Sequence, residues 1–285
     1  MRFKRIYVEI MNSCNLHCSF CIKNKRPPQC MSAEQFKTTA IQLRPYSDYL
    51  YLHVLGEPLM HPELEKILNI CAELRFQVNL TTNGTLLKER LPILKKAAAL
   101  RQINVSLHSF SQQDGIDNNT YLKDCLEAGE QLLDHVYMSY RLWNKQGGSL
   151  DEATMALVSS INDRYHAEIA PQGIRGSDKY TLKQNMFLNF EEMFIWPSLD
   201  NPIQADPARC LGWKSMCAIL VNGDVVPCCL DGNGACVLGN LKDQPFSEII
   251  EGEMGKKILE GWKQGKAVMP LCQRCFYRLR FGANK

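Results

Sequence analysis

The chain has 285 residues, 45% of them hydrophobic, thirteen cysteines and a formal net charge of +3. That length allows one large domain or one large and one small. Near-neutrality demands no polyanionic partner, so clusters such as Lys23, Lys25 and Arg26, or Arg278 and Arg280, read as solvated surface rather than a nucleic-acid footprint.

The opening MRFKRIYVEI carries positive charge but no apolar leader segment, and no run reaches the roughly 18 apolar residues of a membrane span. A soluble cytoplasmic chain with neither nucleic-acid nor membrane partner is expected. In a reducing compartment thirteen cysteines are no disulfide framework. Those that group read as metal or cluster ligands, while the isolated Cys30, Cys71 and Cys125 read as small buried hydrophobes.

In chain order, strand-like runs fall at 5–11, 49–55, 76–82, 102–108, 135–142 and 166–170, and helical stretches at 32–44, 62–75, 86–99, 118–134 and 150–164. Ser32 with Gln35 and Ser149 with Glu152 have capping-box spacing, and Pro62 suits a first helical position. Strands alternating with helices predict a parallel sheet of βα units. Strands of such a sheet, buried on both faces, should be continuously apolar, yet these alternate. Glu9 sits between Val8 and Ile10, and Tyr51 and His53 lie among Leu50, Leu52 and Val54. Asn79, Thr81, Asn104, Ser106, His108, Ser139 and Arg141 continue the pattern. One polar face over five strands predicts a barrel lumen holding water or a polar ligand, the alternative being layers of polar groups that satisfy one another.

Residues 171–209, with scattered Pro and Gly, read as a bridge whose MFLNFEEMFIW segment packs on the barrel or lines its cavity. Beyond it, AILVNGDVV predicts a hairpin about Asn222 and Gly223, with Cys228 just after it.

The chemistry-bearing stretch is CNLHCSFC at residues 14–21, immediately after the first strand. A structural zinc site closes its tetrahedron with four ligands. Three thiols leave one position open, and thiolates suit iron–sulfur clusters as well as zinc. The second strand runs into LGEPLMHPEL and the third ends in TTNGTLL, and ligand-binding loops follow the C-terminal ends of barrel strands.

CxxxCxxC after the first strand, with Phe20 before the third Cys and Gly-Glu-Pro after the second strand, resembles the radical S-adenosylmethionine (radical SAM) superfamily over residues 3–170. The resemblance implies a partial (β/α)6 TIM-like barrel over residues 1–170, with a 4Fe–4S cluster on Cys14, Cys18 and Cys21. S-adenosylmethionine would then chelate the open iron. Gly56, Glu57 and Pro58 would contact its methionine amino group, the backbone at Phe20 its adenine, and Ser106 and Arg141 its ribose and carboxylate; no GxIxGxxE pattern is present. Cys210, Gly223 and Cys228, followed by Cys272 and Cys275, resemble the twitch and SPASM auxiliary domains, implying a small Cys-rich hairpin-plus-helix domain over 210–285 with a second cluster. Cys217, Cys229 and Cys236 are surplus, and zinc on these cysteines is the alternative. The implied activity is radical chemistry on a small polar molecule, fed by a one-electron donor such as flavodoxin or ferredoxin, with peptide modification or a zinc-stabilised binding module as alternatives. Glu9, Tyr51, His53 and Asn104 are the candidate substrate groups, Glu9 reading a guanine-like edge. In size and layout the chain is similar to the queuine lyases, which cleave a carbon–nitrogen bond in queuosine salvage.

Overall fold

The structure, a computed structural model, describes residues 1–112, 117–170 and 178–281. In chain order its elements are β1 (Arg5–Val8), α1 (Ala33–Leu43), β2 (Tyr49–Tyr51), α2 (Leu64–Glu73), β3 (Gln77–Thr82), α3 (Leu87–Leu94), β4 (Leu100–Ser106), α4 (Asn118–Glu130), β5 (Tyr137–Lys145) and α5 (Glu152–Tyr165). There follow β6 (Asp178–Lys183), β7 (Met186–Glu192), β8 (Met216–Ile219), β9 (Asp224–Val226), β10 (Gly239–Asn240), α6 (Phe246–Glu251), α7 (Glu253–Lys263) and α8 (Pro270–Gln273).

The strands form one sheet in the order β10-β9-β8-β1-β2-β3-β4-β5-β7-β6. From β8 through β7 every neighbouring pair is parallel, which is what right-handed βα crossovers produce. The mixed α/β architecture expected from the alternation is present: a partial barrel with a Cys-rich C-terminal region. Ile6, Val8, Leu50, Leu52, Val78, Leu80, Ile103 and Val105 are buried in the main core, and burial of that apolar face drives the fold.

Three details differ from expectation. The sixth parallel strand is β7, not 166–170, where only a turn and irregular backbone follow α5. It arrives through a β6–β7 hairpin inside the segment read as a bridge. Residues 171–177, which carry three of the Pro and Gly residues behind that reading, lie outside the described residues. The sheet also does not stop at β1, because β8 of the C-terminal region pairs with it in parallel register, Ile6 opposite Cys217.

Local signals mostly hold. Ser32 and Gln35 form a reciprocal capping box on α1. At α5 the cap is Asp151, whose carboxylate accepts from Thr154, not Ser149. Pro62 lies just before α2, which begins at Leu64. The β8–β9 hairpin turns at Asn222 and Gly223, where Gly223 has φ +96°. Cys71 and Cys125 are buried as expected, but Cys30 is exposed: it sits on the loop after the first strand with only a bridge to Met11.

Candidate active site

The loop from β1 to α1 carries Cys14, Cys18 and Cys21 beside the C-terminal ends of the barrel strands. Cys18 is buried and the other two exposed. The loop is pinned from β2's side: the Glu57 amide donates to the Ser13 carbonyl at 2.9 Å. Gly56 makes this approach possible. Its φ is +77°, and a Cβ there would lie 2.6 Å from the Met11 carbonyl and 2.8 Å from that of Ser13, so only glycine fits. Asn83, at the turn after β3, donates from Nδ2 to Asn15 at 2.8 Å and points the same NH2 at Cys14 Sγ, 3.7 Å away.

Glu57 is buried, and its carboxylate accepts from Thr82 Oγ1 at 2.7 Å, Asn83 N at 2.7 Å and Leu59 N at 3.0 Å. Desolvation nevertheless raises its pKa to about 7. Among the described residues no side-chain cation bonds to it, so a positively charged ligand group beside it would restore the carboxylate.

A single cavity of about 710 Å³ opens from this loop into the barrel. Cys14, Cys18 and Cys21 line one end, and Cys210, Cys228, Cys272 and Cys275 line another part of its wall. Arg5, Tyr7, Tyr51, His53, Ser106 and Arg141 line the same cavity. Tyr7 and Tyr51 have ring centroids 4.8 Å apart, and Tyr7 meets His53 edge-on at 5.3 Å. His53 is neutral, its pKa brought down to about 3 by desolvation and by nearby Arg141. Arg141, over the Trp143 ring at 4.4 Å, is desolvated enough to bring its own pKa down to about 10.

Of the expected site residues, Phe20, Gly56, Glu57, Ser106, Arg141, Tyr51 and His53 line the cavity together with the seven cysteines. Pro58 is buried and does not line it. Glu9 and Asn104 do not line it. Glu9 is wholly committed elsewhere: Arg26 Nη2 donates to both carboxylate oxygens at 2.6 and 2.7 Å, and the amides of Leu55 and Val221 donate at 3.1 and 2.9 Å. Its acceptors are filled, which overturns the expectation that it reads a base edge. Asn104 donates to the Leu80 carbonyl at 2.9 Å and accepts from Gln102 at 2.7 Å. The polar barrel face is therefore both things expected of it, a ligand-facing wall at one height and a self-satisfied polar layer at another. The Phe20 carbonyl, expected at adenine, accepts from Trp196 Nε1 at 2.7 Å.

Arg5, Tyr7, His108, Phe194, Trp196 and Tyr277 also line the cavity. Arg5 and Tyr7 share the period-two face of Glu9, so the alternation contained them. Trp196 closes the MFLNFEEMFIW segment read as packing on the barrel or lining its cavity, and with Met193 and Phe194 it does line it; nothing local in the sequence marks Tyr277, which comes from the C-terminal turn.

Both cysteine groups suit an electron-poor metal cluster. Although the Cys21 residue is exposed to solvent, protein atoms around its thiol desolvate it and push it up to about 11, and the charges of Cys18 and Cys14 add to the rise. Cys228 and Cys272 are raised by burial and by neighbouring thiolates. Thiolates crowded in this way need a cationic centre to coexist. Cys217 is buried in β8, while Cys229 half-faces the cavity and Cys236 is buried beside Cys272. Among the described residues, no three Cys, His, Asp or Glu side chains gather as a single-metal site would require. No described helix is long and apolar enough to cross a membrane.

Comparison with known proteins agrees with this geometry. Residues 8–142 match the Radical SAM superfamily, and residues 210–276 match SPASM, an iron–sulfur cluster-binding domain. The chain thus carries a radical SAM domain over residues 8–142 and a SPASM region over residues 210–276, and the cofactors of these domains are 4Fe–4S clusters and S-adenosylmethionine.

Among individual relatives, a GTP 3′,8-cyclase of Aquifex aeolicus is 31% identical over 118 residues, 39% of this chain and 37% of that protein. The chain thus spans well under half the length of that relative. An S-adenosyl-L-methionine-dependent 2-deoxy-scyllo-inosamine dehydrogenase of Niallia circulans is 22% identical over 96% of this chain and 92% of its own. In fold, the chain is similar to BtrN in complex with AdoMet and 2-DOIA, with a TM-score of 0.60 and 22% identity over 97% of this chain and 94% of that one. It is also similar to Streptococcus suis SuiB, with a TM-score of 0.62 and 18% identity over 96% of this chain and 72% of that one.

Proposed function

We propose that the chain is a radical SAM enzyme that removes a hydrogen atom from a small polar molecule held between two 4Fe–4S clusters. The observation that carries this is the one continuous cavity with Cys14, Cys18 and Cys21 at one end and Cys210, Cys228, Cys272 and Cys275 on its wall. When bound, the first cluster and S-adenosylmethionine supply an electron and a 5′-deoxyadenosyl radical that takes hydrogen from carbon.

The chain's own residues bind and position. Cys14, Cys18 and Cys21 hold the first cluster, and Cys210, Cys228, Cys272 and Cys275 the second. The backbone around Gly56 and the Glu57 carboxylate receive the methionine ammonium, Ser106 and Arg141 the ribose and carboxylate, and the loop at Phe20 the adenine. Phe194, Trp196 and Tyr277 wall the cavity and keep water from the reacting carbon. The electron comes from an external donor such as flavodoxin or ferredoxin.

A cavity of about 710 Å³ is the size of small-molecule sites, which favours a small substrate over a peptide. The near end-to-end alignment with the inosamine dehydrogenase supports oxidation as the outcome. Carbon–nitrogen cleavage of queuine loses its residue basis, since Glu9 is filled by Arg26, Leu55 and Val221.

The test is anaerobic reconstitution with iron and sulfide, addition of S-adenosylmethionine and dithionite, and mass spectrometry for 5′-deoxyadenosine. Protein with both clusters loaded that releases none would refute the proposal.

A further inference from the structure

Apart from its cysteines, the cavity is lined by more cationic than anionic side chains. Among its described lining residues, Arg5, Arg141 and Arg278 are cationic and Glu57 is the one carboxylate. Glu57 sits with the cysteine loop at the mouth. Arg278 is buried but satisfied, donating to the carbonyls of Gln204, Cys272 and Ala205 at 2.7, 3.0 and 3.2 Å. Arg141 is taken by the S-adenosylmethionine carboxylate under the proposed function, on which this inference rests.

Arg5 is left over. It lies at the start of β1, on the same face as Tyr7, and the groups around it are the Tyr7 hydroxyl, the Tyr51 ring 6.0 Å from its Cζ, Cys229 and Tyr277. None of these is a carboxylate. Edge-on to Tyr7 with ring centroids 5.3 Å apart, His53 is half-buried, and its Nδ1 atom has no hydrogen-bond partner among the described residues. A half-buried guanidinium with no carboxylate among these neighbours, beside an orphaned imidazole nitrogen, is a place where an oxyanion would meet a charge-assisted hydrogen bond.

We propose that Arg5, with the hydroxyls of Tyr7 and Tyr51 and with His53, binds an oxyanion of the substrate, a carboxylate or a phosphate. The substrate is then an acid. An ammonium would be repelled by the Arg5 guanidinium there, so the inosamine relative and this chain part in substrate although they agree in layout.

The test is isothermal titration of anaerobically reconstituted enzyme, with S-adenosylmethionine bound, by inorganic phosphate, by acetate and by neutral glycerol. Saturable binding of phosphate or acetate but not glycerol is expected, and whichever anion binds tells phosphate from carboxylate. Arg5→Gln should weaken that binding by about tenfold or more, the size of a lost charged hydrogen bond, and Arg5→Lys should recover most of it. Neither anion saturating, or Arg5→Gln binding as the wild type does, would overturn the proposal. If circular dichroism shows Arg5→Gln unfolded, Tyr7→Phe decides instead: binding weaker by about threefold or more supports the site, and unchanged binding sinks it. Release of 5′-deoxyadenosine by the same wild-type preparation, with no anion added, judges the radical chemistry separately.

Discussion

Replacing Glu9 with Gln should cost stability rather than substrate affinity. The carboxylate receives four short contacts, two from Arg26 and one each from the amides of Leu55 and Val221. It thereby joins the cysteine loop, the turn after β2 and the β8–β9 hairpin at a single buried point. Burial pushes the Glu9 pKa up, and the Arg26 bonds oppose that shift, so the pair persists because its partners are in place. An amide offers one acceptor oxygen where two were used, and it turns an NH2 toward a donor. The Arg26 side chain, 13% exposed, is left as a nearly buried unpaired cation. Removing one partner of a buried pair costs about 3–5 kcal/mol, and the partial exposure of Arg26 argues for about 3. At about 0.6 kcal/mol per degree for a chain of this length, the melting temperature should fall by about 5 °C. Anaerobic thermal unfolding followed by circular dichroism measures it. An unchanged melting temperature, with substrate binding weakened instead, would refute the reasoning and return Glu9 to the substrate.

Cys14→Ala, Cys18→Ala or Cys21→Ala should each abolish 5′-deoxyadenosine formation, and a triple variant should lose about four iron atoms per chain by colorimetric assay. Replacing Cys210, Cys228, Cys272 and Cys275 together should also remove about four iron atoms while sparing the first cluster; zinc lost in their place would favour a structural metal. Gly56→Ala should destabilise by about 2 kcal/mol or more in thermal unfolding, since a Cβ meets the Met11 carbonyl at 2.6 Å in a left-handed backbone. Glu130 ties α4 to Arg164, Tyr165 and Lys183. Burial acts to raise its pKa, but those bonds win and hold it below the usual value, so its contribution is present above the ordinary carboxylate pKa and fades as pH falls through the lowered one. Glu130→Gln should cost at most about 1 kcal/mol at neutral pH and nothing in strong acid, read from urea midpoints.

The cysteine spacing and the Gly-Glu-Pro turn were legible in the sequence because their chemistry is local: three thiols on one loop, and a glycine where two carbonyls crowd. The barrel was legible through period-two alternation. Glu9 misled for a physical reason. An acidic residue on a lumen-facing strand signals a buried carboxylate, but not whether its partner is a ligand or another part of the chain. Arg26 lies seventeen residues away across a loop, and Val221 lies in the far hairpin. The sixth strand was misplaced because 166–170, His-Ala-Glu-Ile-Ala, is a short run that alternates polar and apolar as a strand does, whereas β7 owes its position to pairing with β5 across the sheet. Neither partnership leaves a trace in local pattern.

The parallel pairing of β8 with β1 bears on how the molecule is made. During synthesis β1 emerges long before β8, so one of its two edges has no partner until residue 216 has been added. A fragment cut after the barrel would display that unpaired edge beside the cysteine loop, and exposed edges recruit other chains. Such a fragment should precipitate instead of surviving as a simpler enzyme. For the same reason, grafting a different C-terminal region onto this barrel requires a strand that reproduces the Ile6–Cys217 register, whatever metal chemistry the graft brings.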